Sequence, residues 1–128
     1  MRIRRRISRI VAIMAIVGAA VWSGASASAH HSHAMFDMSR EVSVTGTVTA
    51  YSFRNPHVFL YLDAKGDDGQ TVSWSVEMSN IENMERRGIY FSTFKVGDRV
   101  TVKLNPLRNG RSGGNYTSVT AADGKTYD

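Results

Sequence analysis

The alternation in E-V-S-V-T-G-T-V-T-A-Y-S-F, Glu41 to Phe53, most tightly constrains what this chain can fold into. Val42, Val44, Val48 and Ala50 fall on one face; Ser43, Thr45, Thr47, Thr49 and Tyr51 fall on the other. A period of two carried by β-branched residues describes a long, half-buried strand. Such a strand needs partners for its backbone and a core for its valines, which commits the chain to a mainly β architecture. Gly46 lies mid-strand on the apolar face, where a lone glycine marks a bulge or a bend.

The same reasoning extends down the chain. Arg54-Asn55-Pro56 breaks the first strand. His57 to Lys65 reads as a second strand, Gly66 to Gly69 as a hairpin turn, and Gln70 to Met78 as a third strand with Val72, Trp74, Val76 and Met78 turned inward. The period then changes. Ser79 with Glu82 forms a capping-box pattern for a short helix, Asn80 to Arg87, which Gly88 closes. Arg99 to Leu104 is a fourth strand, Asn105 to Gly114 a glycine-rich loop and Asn115 to Ala121 a fifth strand; a short edge strand can follow. Three strands, a helix and two strands, led by a long bent strand, predict a small OB-like five-stranded Greek-key barrel over residues 41–128, with one short helix between strands three and four. A plain β-sandwich is the competing architecture, and it has no need of a helix at that position.

The first 29 residues have a different character. Five arginines (Arg2, Arg4, Arg5, Arg6, Arg9) precede the apolar run Ile10 to Trp22, and small residues follow to Ala29. This is the pattern of a secretory signal peptide, and the apolar run is short for a membrane span. Cleavage after Ala29 would release a chain led by His30; cleavage after Ala27 would release one led by Ser28. The expected location is periplasmic or secreted. The whole chain carries a formal charge of +5, with sixteen basic and eleven acidic residues. Five of the basic ones lie in the leader, so the rest is balanced at eleven of each. On that balance, no nucleic-acid partner is expected. There are no cysteines, which removes disulfides, thiolate catalysis and iron–sulfur clusters from consideration.

Several motifs give the sequence a familiar look. AHHSHAMFD after the leader, then VTGTV, RNPHVFLYL, W-x-x-E at Trp74 and Glu77, KVGDRVTV, PLRNG and the terminal ADGK resemble a bacterial family of small, exported, mostly proteobacterial proteins of unknown function. The resemblance spans nearly all of the chain after the leader. It implies export and a small β-rich domain, and it brings no activity with it.

The candidate chemistry centres on residues 30–40, a segment containing His30, His31, His33, Met35 and Met38, together with His57. A terminal His30 would offer an α-amine and an imidazole to one Cu(II), with His57, His31 or His33 supplying a further nitrogen. The Ser28 frame would also bind Cu(II). Imidazoles favour Cu(II), and the Met35 thioether adds a soft donor. The expected metal set is therefore His30, His31, His33, His57 and Met35, and the expected metal is copper. Zinc would need the tail to fold back onto His57. The plainer alternative makes the tail a spacer, or a docking segment in which Met35 and Phe36 fill gaps in the core. Glu77, Asp63 and His57 could be drawn as an acid–base set, but no serine occupies a nucleophile elbow, and a non-catalytic protein is expected. Tyr51, Phe53, Phe59 and Tyr61 could form an exposed aromatic face flanked by Arg54, Arg108 and Arg111, as in OB barrels that stack single-stranded bases; in a charge-balanced, exported chain the expected role is packing or a protein- or ligand-binding surface.

Overall fold

Strand β1 spans Val42–Ser52 in the computed structural model, which describes residues 33–128. The leader expected over residues 1–29 lies outside that range, as do His30 and His31. β1 serves two neighbours at once. Val42 to Thr47 pair with β4 (Arg99–Pro106), and Gly46 to Ser52 pair with β2 (Phe59–Lys65), both antiparallel. Gly46 therefore stands between Ala64 on one side and Val100 on the other. A Cβ there would sit 2.5 Å from the Asp63 carbonyl oxygen. The glycine is needed for close backbone approach.

The bulge lies further along. The register shifts between Val48 and Ala50, leaving Thr49 as the extra residue. A one-residue slip exchanges the two faces of a strand. Hence Val44 and Val48 are buried while Ala50 is exposed, and Tyr51 and Phe53 pack against the core. The alternation read from sequence holds up to the bulge and inverts beyond it.

β2 and β3 (Thr71–Glu77) form a regular hairpin, with register running from Lys65 opposite Thr71 to Phe59 opposite Glu77. Its inner face carries Leu60, Leu62 and Val76, all fully buried. Trp74 shares that face and packs on the core, but it is only partly buried. Helix α1 (Ile81–Arg86) follows. Its N-cap is Asn80, not Ser79: Asn80 Oδ1 accepts from Asn83 N at 2.9 Å. Ser79 Oγ instead accepts from the Asn83 side chain, and Asn55 Oδ1 takes the Ile81 N–H. Gly88 ends the helix at φ 79°, and Met84 and Ile89 are buried in the core.

Closure comes from β5 (Gly113–Thr120). It pairs antiparallel with β4 and, over Ser75–Gly113, Val76–Gly114 and Glu77–Asn115, parallel with β3. The cycle β1-β2-β3-β5-β4 returns to β1, giving a closed five-stranded barrel with the helix between β3 and β4. This is the expected OB-like topology. The two-residue strand β6 (Thr126–Tyr127) extends the edge of β5. Among the described residues, no helix is long and apolar enough to cross a membrane.

Met35–Asp128 form one compact unit, so the end of the histidine-containing segment belongs to the barrel. Phe36 is 3% exposed and bridges to Leu107. Asp37 N donates to Pro106 O at 2.8 Å, and Arg108 N donates to Met35 O at 2.9 Å. These bonds fix the backbone of Met35 against the β4–β5 loop.

Candidate functional site

The hairpin register determines which side chains share the outer face of β2 and β3. Phe59, Tyr61 and Asp63 project from β2; Ser73, Ser75 and Glu77 project from β3. Asp63 is taken by Ser73, whose hydroxyl donates to Asp63 Oδ1 at 2.6 Å. Phe59 and Tyr61 stack with centroids 6.0 Å apart and planes inclined by 17°. His57 precedes β2, and its Nδ1 pairs with Glu77 Oε1. The carboxylate side chain is 18% exposed and the imidazole 38%, so this is a semi-buried pair at the end of the hairpin.

A groove of about 500 Å³ runs beside this pair. Its walls are Phe59, Ser73, Ser75 and Glu77 from the hairpin, Leu107, Arg111 and Ser112 from the β4–β5 loop, Gly114 from β5, and Met35 and Phe36 from the incoming segment. The volume falls within the range of small-ligand sites. One wall offers a stacked aromatic, hydroxyls and a carboxylate; the other offers a guanidinium and a thioether.

Three of the expected metal residues, His33, Met35 and His57, lie within the described residues. Met35 lines the groove and is 49% exposed. His57 joins it through Glu77. His33 is exposed. His30 and His31 lie outside the described residues. Among the described residues, no three His, Cys, Asp or Glu side chains cluster closely enough to hold a metal.

Other sequence expectations require correction. The four aromatics do not share one face. Tyr51 packs edge-on to Phe94 at 5.4 Å and donates its hydroxyl to Tyr90 O at 3.1 Å, because the bulge turns it toward the core. Burial raises the Tyr51 phenol pKa well above its ordinary value. Only Phe59 and Tyr61 of that set line the outer hairpin face. Glu77 is the residue whose importance sequence reasoning underrated. It stands on the polar face of β3, and counting outward from the Gly66–Gly69 turn places it diagonal to His57 on the same face.

The nearest charged neighbours of the segment are also defined. The Ser39 hydroxyl donates to Asp37 Oδ1 at 2.6 Å, which holds the Asp37 carboxyl below its usual range, with Arg108 and Arg40 adding a smaller pull in the same direction.

Comparison with known proteins places this geometry in context. No curated protein matches the chain. Two crystal forms of the mitochondrial single-stranded DNA binding protein Rim1 from S. cerevisiae are similar in structure. One aligns at 12% identity with TM-score 0.49, covering 64% of this chain and 92% of that one. The other aligns at 12% identity with TM-score 0.48, covering 64% and 91%. The expectation of no nucleic-acid partner is withdrawn: a strand-binding groove is a local feature that whole-chain charge does not report. At this identity the likeness concerns the fold, and the ligand in those descriptions belongs to those proteins. At the level of sequence, residues 19–117 match the family of unknown function DUF6152, and the chain belongs to that family.

Proposed function

We propose that this protein is exported, non-catalytic and copper-binding, with a histidine-led terminus that reaches its metal together with His57. The observation that carries the reading is the His57–Glu77 pair. A carboxylate on one imidazole nitrogen fixes the ring and leaves the other nitrogen, Nε2, as the donor, the usual support of a metal-bound histidine. Met35 on the wall of the adjoining groove supports the same reading. Export is supported by the basic-apolar-small pattern of the first 29 residues.

The test has two stages. The mass of the protein recovered from the periplasm establishes whether His30 is its first residue. Cu(II) titration of that material should then show one site tighter than for Zn(II), weakening as pH falls because amine and imidazole must lose protons to coordinate. An N-terminal extension by one residue should abolish the chelate. Equal and weak copper binding by native and extended proteins would sink the reading.

A metal-free interaction module is the second reading. Its support is the α1–β4 connection, where Phe91 is 74% exposed and Val96 72% exposed beside Lys95. Apolar side chains gathered on a surface mark contact sites. Phe91→Ser and Val96→Ser, which leave His57 and Met35 untouched, should weaken partner capture in this case and leave copper binding unchanged.

A further inference from the structure

We propose that a second groove, at the end of the barrel where Trp74 is incompletely covered, binds a small aromatic carboxylate, its ring against Trp74 and its acid group held by Arg40 and Arg111. None of the residues that carry the copper reading or the metal-free reading is involved.

The groove exists because two ladders stop short. β1 pairs with β2 only from Gly46 onward, so Val42 to Thr45 pair with β4 alone. β3 pairs with β5 only from Ser75 onward, so Trp74 and the residues before it pair with β2 alone. A groove of about 430 Å³ lies where the wall is thus thinned, with Arg40, Val42 and Ser43 contributing one part of its lining, Trp74 another, and Arg111 and Ser112 of the β4–β5 loop a third. Trp74 lines this groove and is only partly buried. The volume is that of a small-ligand site.

The lining carries charge of one sign. Two guanidinium groups border the groove and no carboxylate does. Among the described residues neither Arg40 nor Arg111 makes a salt bridge. Two acids stand in the vicinity, and both are engaged elsewhere. Asp37, whose charge Arg40 feels, accepts from the Ser39 hydroxyl. Glu77, which shares the neighbouring groove with Arg111, pairs with His57. Both arginines extend from anchored backbone. The Asn105 amide, itself buried, donates to Arg40 O at 2.7 Å. Arg111 N donates to Asn109 Oδ1 at 3.0 Å, in a loop closed by the bond from Leu107 N to Gly113 O at 3.0 Å. A guanidinium matches a carboxylate with two parallel charge-assisted hydrogen bonds.

The remaining lining selects the ring. Val42, Val44, Pro106, Leu107 and Trp74 supply hydrocarbon and indole, against two serine hydroxyls. A sugar would bring more hydroxyls than these walls can satisfy, and each one dehydrated without a partner opposes binding. A flat hydrocarbon ring has no such cost. It meets an indole favourably either edge-on or offset, so the match does not depend on how the indole is turned.

The experiment titrates the purified protein with 2-naphthoate by isothermal calorimetry and follows the Trp74 indole N–H resonance. One site is expected, with that resonance shifting on binding. The neutral isostere 2-naphthamide and the ringless acid hexanoate should each bind about tenfold more weakly or worse, since each lacks one half of the match. Arg40→Gln and Arg111→Gln, at exposed positions, should each weaken naphthoate by about tenfold, and the double variant should abolish its binding. Arg54→Gln, whose residue does not line the groove, should leave it unchanged. Added salt should weaken naphthoate and spare naphthamide. Circular dichroism verifies that each variant is folded. Absence of naphthoate binding, equal binding of naphthoate and naphthamide, or naphthoate binding that survives the double arginine variant overturns the proposal. So does a loss with Arg54→Gln as large as with Arg111→Gln, which would mark diffuse attraction to basic side chains. Oligothymidylate that binds more tightly than naphthoate with the same arginine dependence also overturns it, and assigns the groove to a nucleic-acid strand.

Discussion

Gly46→Ala is the substitution that most directly tests the account of β1. The added methyl would lie 2.5 Å from the Asp63 carbonyl oxygen and 3.1 Å from Leu62 Cδ1. Comfortable carbon contacts begin near 3.5 Å, so the strands must part locally by about 1 Å. Leu62 could turn aside, but the carbonyl is fixed in the β1–β2 ladder. Displacing β1 away from β2 presses it onto β4, because Gly46 also faces Val100. Overpacking of this kind costs about 1–3 kcal/mol, and a weakened ladder bond adds about 1 kcal/mol. Loss of glycine's unfolded-state freedom returns about 0.5–1 kcal/mol. The net expectation is a destabilisation of about 2–3 kcal/mol. With a urea m-value of about 1–1.5 kcal/mol per molar for a domain of this size, the midpoint should fall by about 2 M. Urea denaturation followed by far-ultraviolet circular dichroism measures it. An unchanged midpoint would refute the close-approach explanation and return Gly46 to the role of a simple bend.

Other outcomes follow from burial and charge. Leu62→Ala empties a fully buried position and should cost about 2–5 kcal/mol by thermal or urea unfolding. Trp74→Ala should cost less than the 3–5 kcal/mol typical of fully buried aromatics, because Trp74 is only partly enclosed; native fluorescence should be intermediate between the buried and water-exposed wavelengths. Burial raises the phenol pKa of Tyr51 and Tyr116 above 10.0, so the folded protein retains protons that the unfolded chain releases. Their contribution is fully present below the unfolded value and is lost as pH rises through and beyond it, so stability should decline in alkaline solution. Tyr51→Phe should flatten that decline, which a pH series of thermal melts would reveal.

The barrel was legible because its elements are local. Period-two stretches located the strands, the Gly66–Gly69 turn set the hairpin register, and the change of period after Met78 located the helix. What escaped was non-local. Nothing in Val48-Thr49-Ala50 announces a bulge, since each residue suits a strand; the slip becomes visible only when β2 is laid alongside. That slip decided which aromatics are core. Likewise Gly113 and Gly114 read as loop residues, but both belong to β5. Added Cβ atoms there would strike Ser75 O and Asn105 O, contacts made by residues distant in sequence. At the site, residue types were readable and their company was not. His57 and Met35 stood out as donors, whereas the joining role of Glu77 required the hairpin diagonal and the docking of Phe36 on Leu107.

The parallel contact of β3 with β5 is short, running only from Ser75 to Glu77, against much longer ladders elsewhere in the cycle. It is the thinnest joint in the closed wall, and the groove lies over it, with Ser75 and Glu77 on one bank and Ser112 and Gly114 on the other. Amides along such a joint exchange with solvent through small openings that do not require the rest of the protein to unfold. A ligand lodged in the groove grips both banks and makes every such opening cost its own binding free energy. Occupancy should thus be recorded as slower hydrogen exchange confined to the joint, while the β1–β4 ladder on the far side keeps the rates of the empty protein.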